Sequence, residues 1–131
     1  MISGLGEVMK LPPIANLVSH VGDINGVCNA DKHLALSFQP SKNHLAKKWL
    51  EYLSEIERPQ TGPNAPYVRL LVDEIRRSVA AWKNDTTDEF IEGINTIWVG
   101  VSLLWQVLQP DAKTNLRQDL AALRKKERGQ S

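Results

Sequence analysis

The stretch from Phe90 to Leu108, FIEGINTIWVGVSLLWQVL, is the longest apolar run in the chain and constrains the fold most strongly. Its apolar residues recur at intervals of four, three, four, three and four: Phe90, Ile94, Ile97, Val101, Leu104 and Leu108. This spacing is typical of one buried face of an α-helix. Trp98 and Trp105 lie beside the stripe and widen it, so the sequence predicts a core helix that is covered on several sides.

The start and the end of this helix are also indicated. Thr86 and Glu89 have the spacing of a capping box, in which each side chain bonds to the backbone N–H of the other residue. Pro110 supplies a stop, because its ring interrupts the helical hydrogen-bond ladder. We therefore predict a helix over 87–109.

A membrane span is the alternative interpretation of the same stretch. A span needs roughly 20 predominantly apolar residues. The run 94–108 is shorter than this and includes polar residues: Asn95, Thr96, Ser102 and Gln106. A core helix is therefore favoured, and we expect no membrane insertion.

Gly93 and Gly100 are seven residues apart and share one face of this helix. Glycine inside a helix costs about 1 kcal/mol relative to alanine. Two glycines on one face predict either that another backbone passes close by or simply that small residues are tolerated there.

Length, charge and cysteine content limit the class of protein. The chain has 131 residues, enough for one domain with a real core, and a net charge of +1. This balance gives no global argument for binding nucleic acid or an anionic membrane. The single cysteine, Cys28, excludes an intramolecular disulfide, and the first residues, MISGLGEVMK, lack a secretory pattern. We expect a cytoplasmic protein.

The whole pattern predicts a mainly α fold, a helical bundle forming a single domain over 1–131. Its four main helices are expected at about 41–57, 66–83, 87–109 and 111–126. Short loops predict that neighbouring helices run antiparallel. We expect a flexible arm over 1–12 and a frayed tail over 126–131.

Two smaller elements are predicted before the main helices. A short N-terminal helix should begin after Pro12 and end at Gly22, since glycine commonly follows a helix end. Leu34, Leu36 and Phe38 then alternate with smaller residues, which is the strand period. This alternation predicts a small β-hairpin around 26–38.

The sequence contains no recognisable catalytic pattern. The three histidines, His20, His33 and His44, match no metal-ligand spacing, even together with Cys28. A nucleophile–base pair of Cys28 with His33 or His44 has nothing in the sequence to position it. We therefore predict no catalytic, cofactor or metal site and a protein that is not an enzyme.

The favoured function is a protein–protein interaction module: an adaptor, an inhibitor or an assembly subunit that self-associates. The central helix has more apolar surface than a small bundle easily covers, and such surplus often marks an interface. Aromatic and arginine side chains are common anchors there. The predicted contact residues are Trp98, Trp105, Leu116, Leu120 and Leu123, with Arg76 and Arg77 as charges at the rim.

The alternative function is nucleic-acid binding through the last predicted helix. This segment is rich in basic residues: Lys113, Arg117, Arg124, Lys125, Lys126 and Arg128. Basic residues also favour a helix C-terminus for purely structural reasons. No motif with a known groove geometry accompanies them.

Overall fold

The structure is a computed structural model that describes residues 12–109. Within this range the chain is mainly helical and has no strand. Its elements are α1 (Pro13–Ala30), α2 (Lys32–Phe38), a 3-10 turn (Gln39–Ser41), α3 (Lys42–Glu57), α4 (Ala65–Ala80) and α5 (Thr87–Val107). The predictions for the arm, the helix over 111–126 and the tail concern segments outside the described residues, apart from Pro12.

The four long helices pack as a ring around one apolar core. α5 packs against α1 and α4, and α3 packs against the same two helices. Every helix of the ring contributes fully buried side chains, among them Leu17, Trp49, Leu71, Ile75, Phe90 and Ile97. Burying each such side chain contributes about 1.5–3 kcal/mol. The arrangement is compatible with the predicted helical bundle.

α5 begins as its sequence predicts and buries the predicted stripe. The Thr86 hydroxyl accepts the N–H of Glu89 at 3.1 Å, and the Glu89 carboxylate accepts the N–H of Thr86 at 3.2 Å. These two bonds satisfy helix-terminal N–H groups that lack an intrahelical partner. The first five stripe residues are completely buried: Phe90, Ile94, Ile97, Val101 and Leu104.

α3 and α4 lie within a few residues of the predicted ranges 41–57 and 66–83. α3 buries Leu45, Trp49, Leu53 and Ile56, and α4 buries a longer apolar face. Ser41 precedes α3 but makes no side-chain cap bond, because the preceding residues form a 3-10 turn that leads directly into the helix.

The predicted end of the first helix at Gly22 is wrong, since α1 continues through Gly22 and Gly26 to Ala30. A Cβ atom at position 22 would lie 3.0 Å from Cζ3 of Trp98 on α5. Glycine therefore allows the indole of Trp98 to approach α1 closely. The residues that face the core repeat by four, three and four: Leu17, Val21, Ile24 and Cys28.

The predicted β-hairpin around 26–38 is also wrong. Residues 26–30 belong to α1, and the following segment is α2. Asp31 separates the two helices, and its carboxylate accepts the N–H of His33 at 2.9 Å as an N-cap. Ala35 faces the core while Leu34 and Leu36 are exposed, so the alternation of leucines reflects a short helix with one small buried residue.

Polar side chains fasten the 3-10 turn to the connection between α4 and α5. The Asn84 amide donates to the Gln39 carbonyl at 3.0 Å, and the Gln39 amide donates to the Asn84 carbonyl at 3.3 Å. The Thr87 hydroxyl donates to the side-chain oxygen of Gln39 at 3.1 Å. These bonds hold α2 and the start of α5 at the same end of the molecule.

The length and composition of α5 also satisfy a simple criterion for a membrane-crossing helix. Its mean hydropathy over an 18-residue window is 1.2, and 44% of that window is buried inside the protein. Core helices of soluble proteins meet the same criterion, so this finding is weak evidence for a membrane span.

Candidate functional site

The two tryptophans predicted as contact residues have different environments. Trp98 is half-buried, and its ring lies against Gly22 of α1. Trp105, two turns further along α5, remains 40% exposed. Thus α1 covers part of Trp98. Of the two tryptophans, Trp105 keeps the larger apolar surface open to solvent.

Arg76 takes part in a structural network between α4 and α3. Its guanidinium bonds to both carboxylate oxygens of Glu57, at 2.9 and 3.3 Å, and to Asp73 at 3.0 Å. The bond to Glu57, more than any other interaction, raises the pKa of Arg76. A forked arginine–carboxylate pair is geometrically specific. Arg76 thus ties two helices of the ring together.

Arg77 is exposed and forms an ion pair with the buried carboxylate of Glu74.

Arg76 contacts α3, whereas Trp98 contacts α1. α3 and α5 are separated in the ring by α1 and α4. The structure therefore does not join Arg76 and Trp98 in one surface.

The other predicted site residues lie outside the described range 12–109. This applies to the contact leucines Leu116, Leu120 and Leu123. It applies equally to the basic residues proposed for nucleic acid: Lys113, Arg117, Arg124, Lys125, Lys126 and Arg128.

A column of aromatic rings in the core connects α3, the segment between α4 and α5, and the start of α5, and was not predicted. The indoles of Trp49 and Trp82 stack with centroids 5.2 Å apart and planes only 6° from parallel. The Phe90 ring stacks on the indole of Trp82 with centroids 5.1 Å apart, and the Trp82 N–H donates to the Phe90 carbonyl at 2.9 Å. Such pairs contribute about 0.5–1.5 kcal/mol beyond their buried area. Helical spacing placed these rings on buried faces but could not show that they meet.

His20 continues this column from α1. The indole N–H of Trp49 donates to Nδ1 of His20 at 2.9 Å, and the two rings meet edge to face. This hydrogen bond requires Nδ1 to be unprotonated. Burial, followed by the positive charge of Lys48, lowers the pKa of His20, and Asp23 opposes this shift while His44 adds to it.

Acid is expected to destabilise the fold through His20. Because its pKa in the folded chain lies below the ordinary value of 6.5, the folded state binds fewer protons than the unfolded state in this range. The stability contribution is therefore complete above about pH 6.5 and is lost as the pH falls through 6.5 to the folded pKa. Urea unfolding between pH 7.5 and 5 measures this loss.

The matched variants are His20→Gln and His33→Gln. Glutamine at position 20 offers a hydrogen-bond acceptor that does not titrate, so His20→Gln should flatten this part of the pH profile. His33 is exposed and is not among the groups that shift the pKa of His20, so His33→Gln should keep the wild-type profile. Identical pH profiles for wild type and His20→Gln would contradict the role of His20.

The environment of Cys28 disfavours the nucleophile that the sequence left open. Its side chain is completely buried, and burial raises the pKa of the thiol. A reactive cysteine requires the opposite shift, because the thiolate is the nucleophile.

Within residues 12–109, no three His, Cys, Asp or Glu side chains are grouped so that they could hold a metal ion.

Two shallow grooves cross the described surface. One lies beside α2 and the start of α5 and is lined by Lys32, His33, Leu36, Thr86, Thr87 and Asp88. Lys32 and Asp88 are paired with each other there, at 2.6 Å. The other groove runs along α3, lined by Asn43, Ala46, Lys47, Leu50, Glu51 and Ser54. Both are open to solvent rather than enclosed.

Comparison with known protein-family models, curated proteins and solved structures finds no match to this chain. Its function is therefore inferred from the surfaces and buried groups described above.

Proposed function

We propose that the protein is a non-enzymatic helical interaction module, an assembly subunit, adaptor or inhibitor that acts by surface contact in the cytoplasm. It self-associates through a surface anchored by Trp105. The observation that carries this proposal is the 40% exposure of Trp105 on a helix whose apolar stripe is completely buried from Phe90 to Leu104.

The physical basis is the cost of leaving a large aromatic side chain in water. A tryptophan buries roughly 150–250 Å² when it is covered, and it supplies this contact area with few rotatable bonds. Covering the exposed part of Trp105 would therefore favour association. Tryptophan is also enriched among the residues that contribute most to protein–protein binding.

As part of this proposal, neighbouring helices of the bundle run antiparallel. Two contacts between α1 and α5 support this direction, since Gly22 lies against Trp98 while the Asn29 amide donates to Asn95 at 2.7 Å. Moving forward along α1 thus corresponds to moving backward along α5. Near the C-terminus of α5, the partly exposed Trp105 makes this flank available for an external contact.

Trp105→Ala is expected to lower the mass of the assembly while leaving the monomer folded. Size-exclusion chromatography with light scattering, at two salt concentrations, measures the mass against the chain mass of 14.7 kDa. An apolar contact should depend little on salt. Leu70→Ala, which changes another exposed apolar residue on α4, is the matched control and should retain the wild-type mass. An unchanged mass for Trp105→Ala would contradict the proposed anchor.

A further inference from the structure

The groove on α3 combines an apolar ridge with small neighbours. Ala46, Leu50 and Ser54 are spaced by four residues, so they form one continuous row along the helix surface. Leu50 stands in the middle of this row and is 36% exposed. The smaller side chains on either side leave room beside Leu50 for another helix at the usual 8–10 Å or so. At the far end of the row the Ser54 hydroxyl accepts a bond from Arg76 of α4 at 3.4 Å, so the open part of the row is centred on Ala46 and Leu50.

Two opposite charges border this row. Lys47 and Glu51 are four residues apart, one helical turn or about 6 Å, and both are exposed. Neither takes part in the ion pairs found among residues 12–109. By contrast, Lys32 and Asp88 in the groove beside α2 already neutralise each other. The α3 groove therefore has charges that remain available for a partner.

This arrangement complements itself. If a second α3 lies antiparallel across the groove on a twofold axis near Leu50, the order of the two charges is reversed in the second helix. Lys47 of each copy then lies beside Glu51 of the other, and the two Leu50 side chains meet at the axis. The same symmetry sets Ala46 opposite Ser54. A twofold contact of this kind uses one surface patch on both copies.

We propose that the α3 groove binds the α3 groove of a second copy of this chain. This contact rests on the proposed self-association and adds a second surface to the one anchored by Trp105. With two separate contact surfaces, the protein has the property required of an assembly subunit. The Lys47–Glu51 pairs favour the antiparallel direction, because in a parallel pair of helices each residue lies level with its own copy and on the opposite side of the contact, so the opposite charges do not meet.

Charge reversal tests the contact. Lys47→Glu and Glu51→Lys each place like charges opposite one another twice, so each should raise the dissociation constant of the α3 contact by about tenfold or more. An equimolar mixture of the two variants restores both attractive pairs between unlike chains. The mixture should therefore form a heterodimer, although each variant alone dissociates. Pairing within one helix cannot produce this rescue.

The experiment is done on the full chain in the Trp105→Ala background, by light scattering over a series of protein concentrations. Glu55→Lys is the matched control, because it makes the same charge change on α3 outside the groove. This control should keep twice the chain mass. Circular dichroism verifies that all variants fold. A mixture that stays monomeric, or a Glu55→Lys effect equal to that of Glu51→Lys, overturns the α3 contact.

The two proposals fail in different ways. A monomeric Trp105→Ala variant beside an oligomeric wild type overturns the α3 contact and supports the Trp105 contact. An assembly that is sensitive to Lys47→Glu but unaffected by Trp105→Ala supports the α3 contact and overturns the Trp105 anchor. A wild type that is monomeric at every concentration overturns both.

Discussion

Replacing Trp82 with alanine is expected to lower the free energy of unfolding by about 3–5 kcal/mol. The Trp82 side chain is 2% exposed, and its indole lies between Trp49 and Phe90 in the aromatic column. Alanine removes both stacking contacts and the hydrogen bond to the Phe90 carbonyl. It also leaves a cavity that three helices would have to close.

Urea unfolding followed by circular dichroism measures this change. Trp105→Ala, studied at a concentration where the chain is monomeric, is the control and should cost less, about 1–2 kcal/mol, since its side chain is already partly in water. Equal losses for the two variants would show that the aromatic column does not form the core.

Gly93→Ala is the second variant with a large expected effect, and it adds only one methyl group. A Cβ atom at position 93 would lie 2.1 Å from Cδ1 of Trp82. The indole cannot move aside easily, because it is stacked on both faces and bonded through its N–H. We expect a net destabilisation of about 2 kcal/mol or more, despite the gain of about 1 kcal/mol in helix propensity.

Gly26→Ala is the matched control for this substitution. Gly26 also lies inside a helix, but a Cβ atom there would meet nothing within 4 Å. Alanine should therefore stabilise the fold by about 0.5–1 kcal/mol through helix propensity and reduced freedom of the unfolded chain. Denaturation midpoints of the two variants should thus shift in opposite directions. A stabilised Gly93→Ala variant would contradict the packing of Trp82 against α5.

The opposite changes in stability expected for Gly93→Ala and Gly26→Ala show the limit of prediction from the sequence. The stripe from Phe90 to Leu104 could be predicted, because a helix buried on several sides must repeat apolar residues with the helical period. The capping box could be predicted because its partners are three residues apart. Both features depend only on local spacing.

Features that depend on distant residues could not be predicted in the same way. A helix end at Gly22 follows from the usual role of glycine, whereas the actual reason for the glycine is Trp98, a residue of another helix. The sequence leaves two explanations for Gly93, a closely passing backbone or simple tolerance of a small residue. In the structure the nearest neighbour of Gly93 is the indole side chain of Trp82. The repeat of Leu17, Val21, Ile24 and Cys28 is nevertheless present in the sequence. It favours a continuous helix more strongly than Gly22 and Gly26 favour a helix end.

The proposed interfaces depend on exposure, which the sequence indicates only indirectly. Trp98 and Trp105 are seven residues apart and look equivalent in the sequence, but α1 covers only the first of them. Arg76 resembles a rim charge until the structure shows it bonded to Glu57. Leu50 belongs to a helix whose apolar stripe lies on another face, so its partial exposure becomes evident only when α3 is docked in the ring.

Closure of the ring by α1 and α5 has a consequence for synthesis on the ribosome. Asn29 and Asn95, which bond across this contact, are 66 residues apart in the chain. At 5–20 residues per second, the ribosome needs about 3–13 s to make the intervening segment. During this interval α1 can dock on α3, but its flank bearing Gly22 has no partner from its own chain. Until α5 emerges and covers it, this flank of a nascent chain is open to contact with other chains.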